Sequence, residues 1–258
     1  MDLKKLSNIE KTLEYHELLM TRELKNIPNY ILPSGFTFCF WDNDKLIDDW
    51  IKIHIDTGEF NCIEEAYKIF HSFYDNFYTE LSSRCLFIKD SNGEIVATST
   101  VSPADEFGYN CVIDWFAISP KAQGKKLSKA LLTKTLNVAK SLGYDKILLH
   151  TQTHTWLAAK IYLDFGFEPF ENQNTKGWDI LKTITNHQKL NKYKTLNEEQ
   201  LFDPLIIKIK NELDKIHKNY FYSVWYINGR NDVFVRQDKN FFKYKYQLEK
   251  DTVSLIKQ

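Results

Sequence analysis

The chain has 258 residues and balances 34 Lys+Arg against 34 Asp+Glu, a formal net charge of zero. With 43% hydrophobic and 26% charged residues it can bury a core, which excludes global disorder. Scarce Gly (9) and Pro (6) exclude collagen-like and linker-like chains. Zero net charge gives no general electrostatic reason to bind nucleic acid or an anionic membrane, so neither is an expected partner.

Cys39, Cys62, Cys85 and Cys111 show no CxxC spacing and no nearby His pair, so no metal site or redox dithiol is expected. They read as buried free thiols of a reducing compartment. Residues Met1–Glu10 lack the apolar core of a signal peptide. No apolar run approaches the roughly 20 residues that span a bilayer. A cytoplasmic location is the expectation.

Residues 1–34 are charged and read as a mildly helical arm, stopped by Pro28 and Pro33. Phe36–Trp41 alternates aromatics with smaller residues and predicts a first strand. Asp42-Asn43-Asp44 offers N-cap chemistry to a helix carrying Leu46, Trp50, Ile53 and His54 on one face, ended by Gly58. A second helix, from Ile63 to Ser83, places Ala66, Ile69, Phe70, Phe73 and Phe77 at helical spacing. Cys85–Asp90 and Ile95–Val101 form a hairpin around Asn92-Gly93. Tyr109–Ser119 is strongly apolar and reads as a central strand. Next come a helix from Lys125 to Leu142, a strand from Asp145 to Thr153, and a short helix from Trp156 to Phe165 closed by Gly166. Phe167 opens one more extended segment.

The composition shifts after Asn186: residues 188–258 hold 14 Lys+Arg against 9 Asp+Glu. A helix from Asn197 to Lys218 is expected there, then an aromatic hairpin from Tyr220 with its turn at Asn228-Gly229-Arg230-Asn231. The chain divides into the arm (1–34), a core domain (35–187) and a helix-plus-hairpin subdomain (188–258). That subdomain is suited to packing on the core, covering a cleft or dimerising, which keeps a homodimer open. The element order predicts an α+β or mixed α/β architecture, a mixed sheet with helices beside it.

Chemistry concentrates between Val112 and Phe170. A strand ending at Ile118 runs through Lys121-Ala-Gln-Gly-Lys-Lys-Leu-Ser128 straight into a helix. A helix opening of this kind offers unpaired amides and the positive end of the helix dipole, a setting for an anion such as a diphosphate. Lys125, Lys126 and Lys129 add charge. On the strand, Asp114 alternates with Val112, Phe116 and Ile118, and a carboxylate in an apolar strand is costly unless paired or functional.

Residues 112–170 resemble the acetyl-CoA-binding core of the GNAT superfamily of N-acyltransferases. Gln123 matches the first position of that family's loop pattern, Gln/Arg-x-x-Gly-x-Gly/Ala, with Lys126 at the first Gly and Ser128 at the second small position. The family's alanine-containing helix, ending in Tyr and followed by Gly-Phe, stands here as Ala158-Ala-Lys-Ile-Tyr162-Leu-Asp-Phe-Gly166-Phe167, with Thr155 where Asn is common. The resemblance implies a GNAT-like twisted mixed sheet flanked by helices, over roughly residues 35–185. It implies that backbone groups at Ala117 and Ile118 pair with the pantetheine arm of acetyl-CoA. It further implies that the amides of Gln123, Gly124, Lys125, Lys126, Leu127, Ser128 and Lys129 cradle the diphosphate. Lys126 is expected in a right-handed helical conformation that does not require Gly.

The implied reaction is acetyl transfer from acetyl-CoA to a small-molecule or peptide amine by direct attack in a ternary complex, without metal. Tyr162 is the expected proton donor to the thiolate and Asp114 the expected base, with His150 and His154 as alternatives. Glu59 falls in the acceptor loop. The alternative function is a catalytically weak GNAT-fold protein that binds acyl-CoA or regulates a partner.

Overall fold

A computed structural model describes residues 6–106, 109–170, 176–192, 204–225, 231–237 and 240–258. Its first half runs β1 (Glu17–Glu23), β2 (Thr37–Phe40), α1 (Lys45–Asp56), α2 (Ile63–Tyr74), α3 (Leu81–Arg84), β3 (Cys85–Lys89), β4 (Ile95–Glu106) and β5 (Tyr109–Ile118). Then follow α4 (Leu127–Ser141), β6 (Lys146–Gln152), α5 (Trp156–Asp164), β7 (Glu168–Pro169) and α6 (Lys176–Thr185). The C-terminal part holds α7 (Pro204–Ile216), β8 (Phe221–Trp225), β9 (Asp232–Gln237), β10 (Asn240–Glu249) and β11 (Thr252–Lys257).

Seven strands form one sheet in the order β2-β3-β4-β5-β6-β1-β7. The pairings are antiparallel except β5 with β6, which run parallel. Both faces are covered, which explains the near-continuous apolar runs. On β3, Cys85 and Phe87 turn to the layer of α1 and α2 with Trp50, Phe70 and Tyr74. Leu86 and Ile88 turn to the layer of α4 and α5 with Leu131, Leu136 and Leu163. Each such large apolar side chain contributes about 1.5–3 kcal/mol when fully buried.

The hairpin turn is set by the Asp90 carboxylate, which accepts from the amides of Asn92 at 2.9 Å and Glu94 at 3.0 Å, while Gly93 takes φ +82°. The expected helix from Ile63 to Ser83 is broken. It is α2, a 3-10 stretch in which Phe77 has φ −134°, and then α3.

The helical reading of residues 1–34 is corrected by β1. Its Leu18 and Met20 face the α4/α5 layer, and Leu19 packs with Val112 and Leu148 on the other side. A strand buried on both faces has no period-two signature, and Leu, Met and Glu are helix formers, so tertiary pairing overrides local preference here. The expected extended segment is the short β7, and α6 buries Trp178, Leu181 and Ile184.

The C-terminal part is larger than a hairpin. Its four strands pair antiparallel in the order β11-β10-β9-β8, around a core of Ile209 and Leu213 from α7 with Val233, Val235, Tyr244, Tyr246 and Val253. Of the expected turn at Asn228–Asn231 only Asn231 is described, and the expected helix start at Asn197 lies outside the described residues.

Candidate active site

β5 and β6 touch over two rungs only, Val112↔Leu148 and Ile113↔Leu149. Beyond Ile113, β5 stays on β4, and a gap opens between the parallel strands toward their C-terminal ends. The cause lies within β5. Between the rungs Thr100↔Asp114 and Thr98↔Ala117, β4 advances two residues and β5 three. The extra residue is a bulge, where Trp115 adopts φ +52°. A left-handed conformation is costly for a bulky residue, and such strain collects at functional positions.

The bulge overturns the expected alternation. Phe116 and Ile118 pack on the α4/α5 layer, whereas Trp115 and Ala117 pack on the α1/α2 layer. Asp114 therefore does not share a face with Phe116 and Ile118. It stands opposite Thr100, whose hydroxyl lies 2.9 Å from Tyr74 Oη and donates to Cys85 Sγ at 3.3 Å. Burial first, with the Asp114 charge adding to it, holds the Tyr74 phenol well above its ordinary pKa.

The bonded rungs show which backbone groups meet the gap. Ser119 N–H donates to Val96 O at 2.9 Å, so by alternation Ala117 is bonded to β4 and Ile118 faces away from it. Of the two expected pantetheine contacts, Ile118 presents its backbone to the gap and Ala117 does not. The Ile118 carbonyl accepts Gln123 Nε2 at 3.3 Å.

The loop at the mouth of the gap is exposed from Gln123 to Lys126. Gln123 N–H and Lys125 N–H bond back to Pro120 O (3.2 Å) and Ala122 O (3.4 Å), so these two expected cradle amides are already engaged. Gly124 takes φ +77°. Lys126 caps α4 with φ +62° and ψ +25° and makes no side-chain cap bond. The right-handed conformation expected of Lys126 is thus corrected: the position calls for glycine-like geometry, and lysine adopts it under strain. The amides of Leu127, Ser128 and Lys129 open the helix with no preceding turn to bond. The Leu127 side chain is buried in the core, leaving only its backbone for a ligand. Lys125 Nζ and Lys129 Nζ lie over the rings of Phe36 (5.8 Å) and Tyr30 (5.1 Å).

Tyr162, on α5, stands on the other face of β5 from Asp114. Its ring meets Phe116 (6.0 Å between centroids) and Phe167 (5.7 Å) edge-on. The turn below is fixed by Phe167 N–H donating to Tyr162 O at 3.0 Å, with Gly166 at φ +90°. Burial raises the Tyr162 phenol far above its ordinary value, so it stays protonated at neutral pH.

The other expected proton acceptors are engaged elsewhere. His150 Nδ1 is 2.9 Å from Glu17 Oε1, and His154 Nε2 donates to Leu13 O at 2.8 Å. Glu59 lies between α1 and α2, its amide donating to His54 O at 2.9 Å.

Sequence reasoning placed His54 on a helix face but missed its setting. It is 3% exposed, with Trp50, Trp115 and Phe60 around it at 4.3, 5.1 and 6.1 Å. Its Nε2 has no hydrogen-bond partner among the described residues. Burial pushes its pKa down to about 3.

All four cysteines are unpaired, but Cys62 is exposed and Cys39 half-buried, against the expectation that all are buried. No group of three or more His, Cys, Asp or Glu fit to hold a metal ion occurs among the described residues. No helix among them is long and apolar enough to cross a membrane.

Residues 47–167 match the Acetyltransferase (GNAT) family, and the seven-stranded mixed sheet with helices on both faces is the mixed α/β fold of that family. Similar solved structures include a GCN5-related N-acetyltransferase from Sphaerobacter thermophilus (16% identity, TM-score 0.49, 60% of this chain and 50% of that one). Another, from Kribbella flavida, has 13% identity and a TM-score of 0.42 over 60% of this chain and 56% of that one. A GNAT-family acetyltransferase from Colwellia psychrerythraea has 10% identity and a TM-score of 0.47 over 61% and 54%. The chain spans about half the length of these structures. A search of curated proteins returns no match.

Proposed function

We propose that this chain is an N-acyltransferase that moves an acetyl group from acetyl-CoA to an amine by direct attack in a ternary complex. One observation carries the reading: β5 and β6 part after two rungs, with the Ile118 backbone facing the gap and the α4 opening at its mouth. A pantetheine arm would add strand-like bonds at Ile118. The diphosphate would meet the amides of Leu127, Ser128 and Lys129, with Gly124 letting the loop approach closely and Lys125, Lys126 and Lys129 supplying charge.

Asp114 and Tyr162 stand on opposite faces of β5, an arrangement that would suit two proton transfers on opposite sides of one thioester. The neutral amine attacks the carbonyl carbon, forming the C–N bond. The C–S bond breaks, and Tyr162 gives its proton to the departing thiolate. The proton lost by the amine goes to Asp114, directly or through water.

The test is thiol release from acetyl-CoA in the presence and absence of a panel of primary amines. Amine-dependent release supports the reading. Binding of acetyl-CoA with no amine-dependent release would instead favour a binding or regulatory role.

A further inference from the structure

The N-terminal segment takes part in neither proton transfer, yet it crosses the mouth of the gap. Because β5 and β6 are parallel, their C-terminal ends lie at one edge of the sheet. At the β6 end, His154 Nε2 donates to Leu13 O and Glu10 N–H donates to His154 O, both at 2.8 Å. The Tyr15 ring packs edge-on against His154 at 5.2 Å. Trp156, the first residue of α5, donates its indole N–H to Ser7 O at 2.8 Å. At the β5 end, Asn8 Nδ2 donates to Gln123 Oε1 at 2.9 Å. The Glu10 carboxylate holds this stretch in shape by accepting from the amides of Ser7 (3.2 Å) and Thr12 (3.1 Å).

The contact reaches into the gap through Gln123. With its oxygen held by Asn8, its amide nitrogen is turned to the Ile118 carbonyl, the backbone acceptor that faces the gap. A ligand bonding to the Ile118 carbonyl competes with Gln123 Nε2 for it, and Asn8 holds Gln123 in that competing position.

We propose that residues 7–13 are an autoinhibitory strap that competes with coenzyme A for this mouth, so that binding requires its release. The inference rests on the donor site proposed above. The strap is tied by a few hydrogen bonds to exposed or half-buried groups, so it is a device of small energy that a tight ligand overcomes.

The test measures coenzyme A affinity calorimetrically for the full chain and for its Asn8→Ala and Asn8→Ala/Trp156→Phe variants. It is joined to amide exchange across residues 6–13 in the unaltered protein. Losing one hydrogen bond of the competing contact should tighten binding about 5-fold, and the double variant should bind tighter still. Coenzyme A should speed exchange at residues 9–13 while slowing it at Leu127–Lys129. Binding by the variants with none by the parent chain would support the strap even more strongly. Equal affinities with unchanged exchange at residues 9–13 would overturn it and leave the donor site standing. No binding by any of the three would overturn the donor site, and the strap with it.

Discussion

Asp114 and Tyr162 sit on opposite faces of the same strand. Asp114 stands beside Thr100 and the buried Tyr74, while Tyr162 packs against Phe116 on the side of α4 and α5. The bulge at Trp115 separates them, because the extra residue reverses which face each later side chain takes. The pair would therefore act as independent groups, and each can be removed without disturbing the other.

Replacing Tyr162 with Phe keeps the ring contacts and removes only the hydroxyl. The expected result is a fall in kcat of about 100-fold with coenzyme A affinity unchanged, as for loss of a positioned proton donor. Steady-state kinetics with parallel calorimetry checks this. An unchanged kcat would remove Tyr162 from the mechanism.

Asp114→Asn keeps the shape and removes the base. A drop in kcat of about 100-fold is expected, with little change in the KM for acetyl-CoA. If the KM for the donor rises while kcat holds, Asp114 is a binding or structural group.

Lys126→Gly tests the strain at the α4 cap. Lysine at φ +62° costs about 1 kcal/mol that glycine does not, so the variant should melt roughly 2–4 °C higher. A thermal scan decides it. A lower melting temperature would mean that the lysine side chain contributes more than its backbone costs.

His54 should make stability depend on acid. Its folded pKa, about 3, lies below the unfolded imidazole value of 6.5, so the unfolded chain takes up the proton first. Stability carries no such penalty above about pH 6.5 and declines as pH falls from there toward 3, by about 1.4 kcal/mol per unit from this group. Urea unfolding of His54→Gln across that range should show a shallower decline than the parent chain. Parallel slopes would exclude His54 as the source.

Much of the core was legible in the residues. The hairpin at Asn92-Gly93, the central strand, the helix before Gly143 and the Tyr162–Phe167 turn all follow from local patterns that tertiary contacts reinforce. What escaped depends on partners distant in sequence. Glu17–Glu23 is a strand because β6 and β7 flank it. The Trp115 bulge leaves no mark in a mostly apolar run. It put Asp114 and Phe116 on opposite faces and turned the Ala117 backbone toward β4. Lys126 hid a left-handed cap behind an ordinary helix former. No periodicity marks residues 7–13, whose contacts reach more than a hundred positions along the chain.

The central claim is that the gap beyond Ile113 receives a thioester whose diphosphate rests on the start of α4. A crystal structure with coenzyme A bound tests it most directly. The expected result is pantetheine bonded to the Ile118 backbone, the diphosphate on the amides of Leu127 to Lys129, and the sulfur between Asp114 and Tyr162. Coenzyme A bound elsewhere on the chain, with Gln123 still bonded to the Ile118 carbonyl, would contradict it.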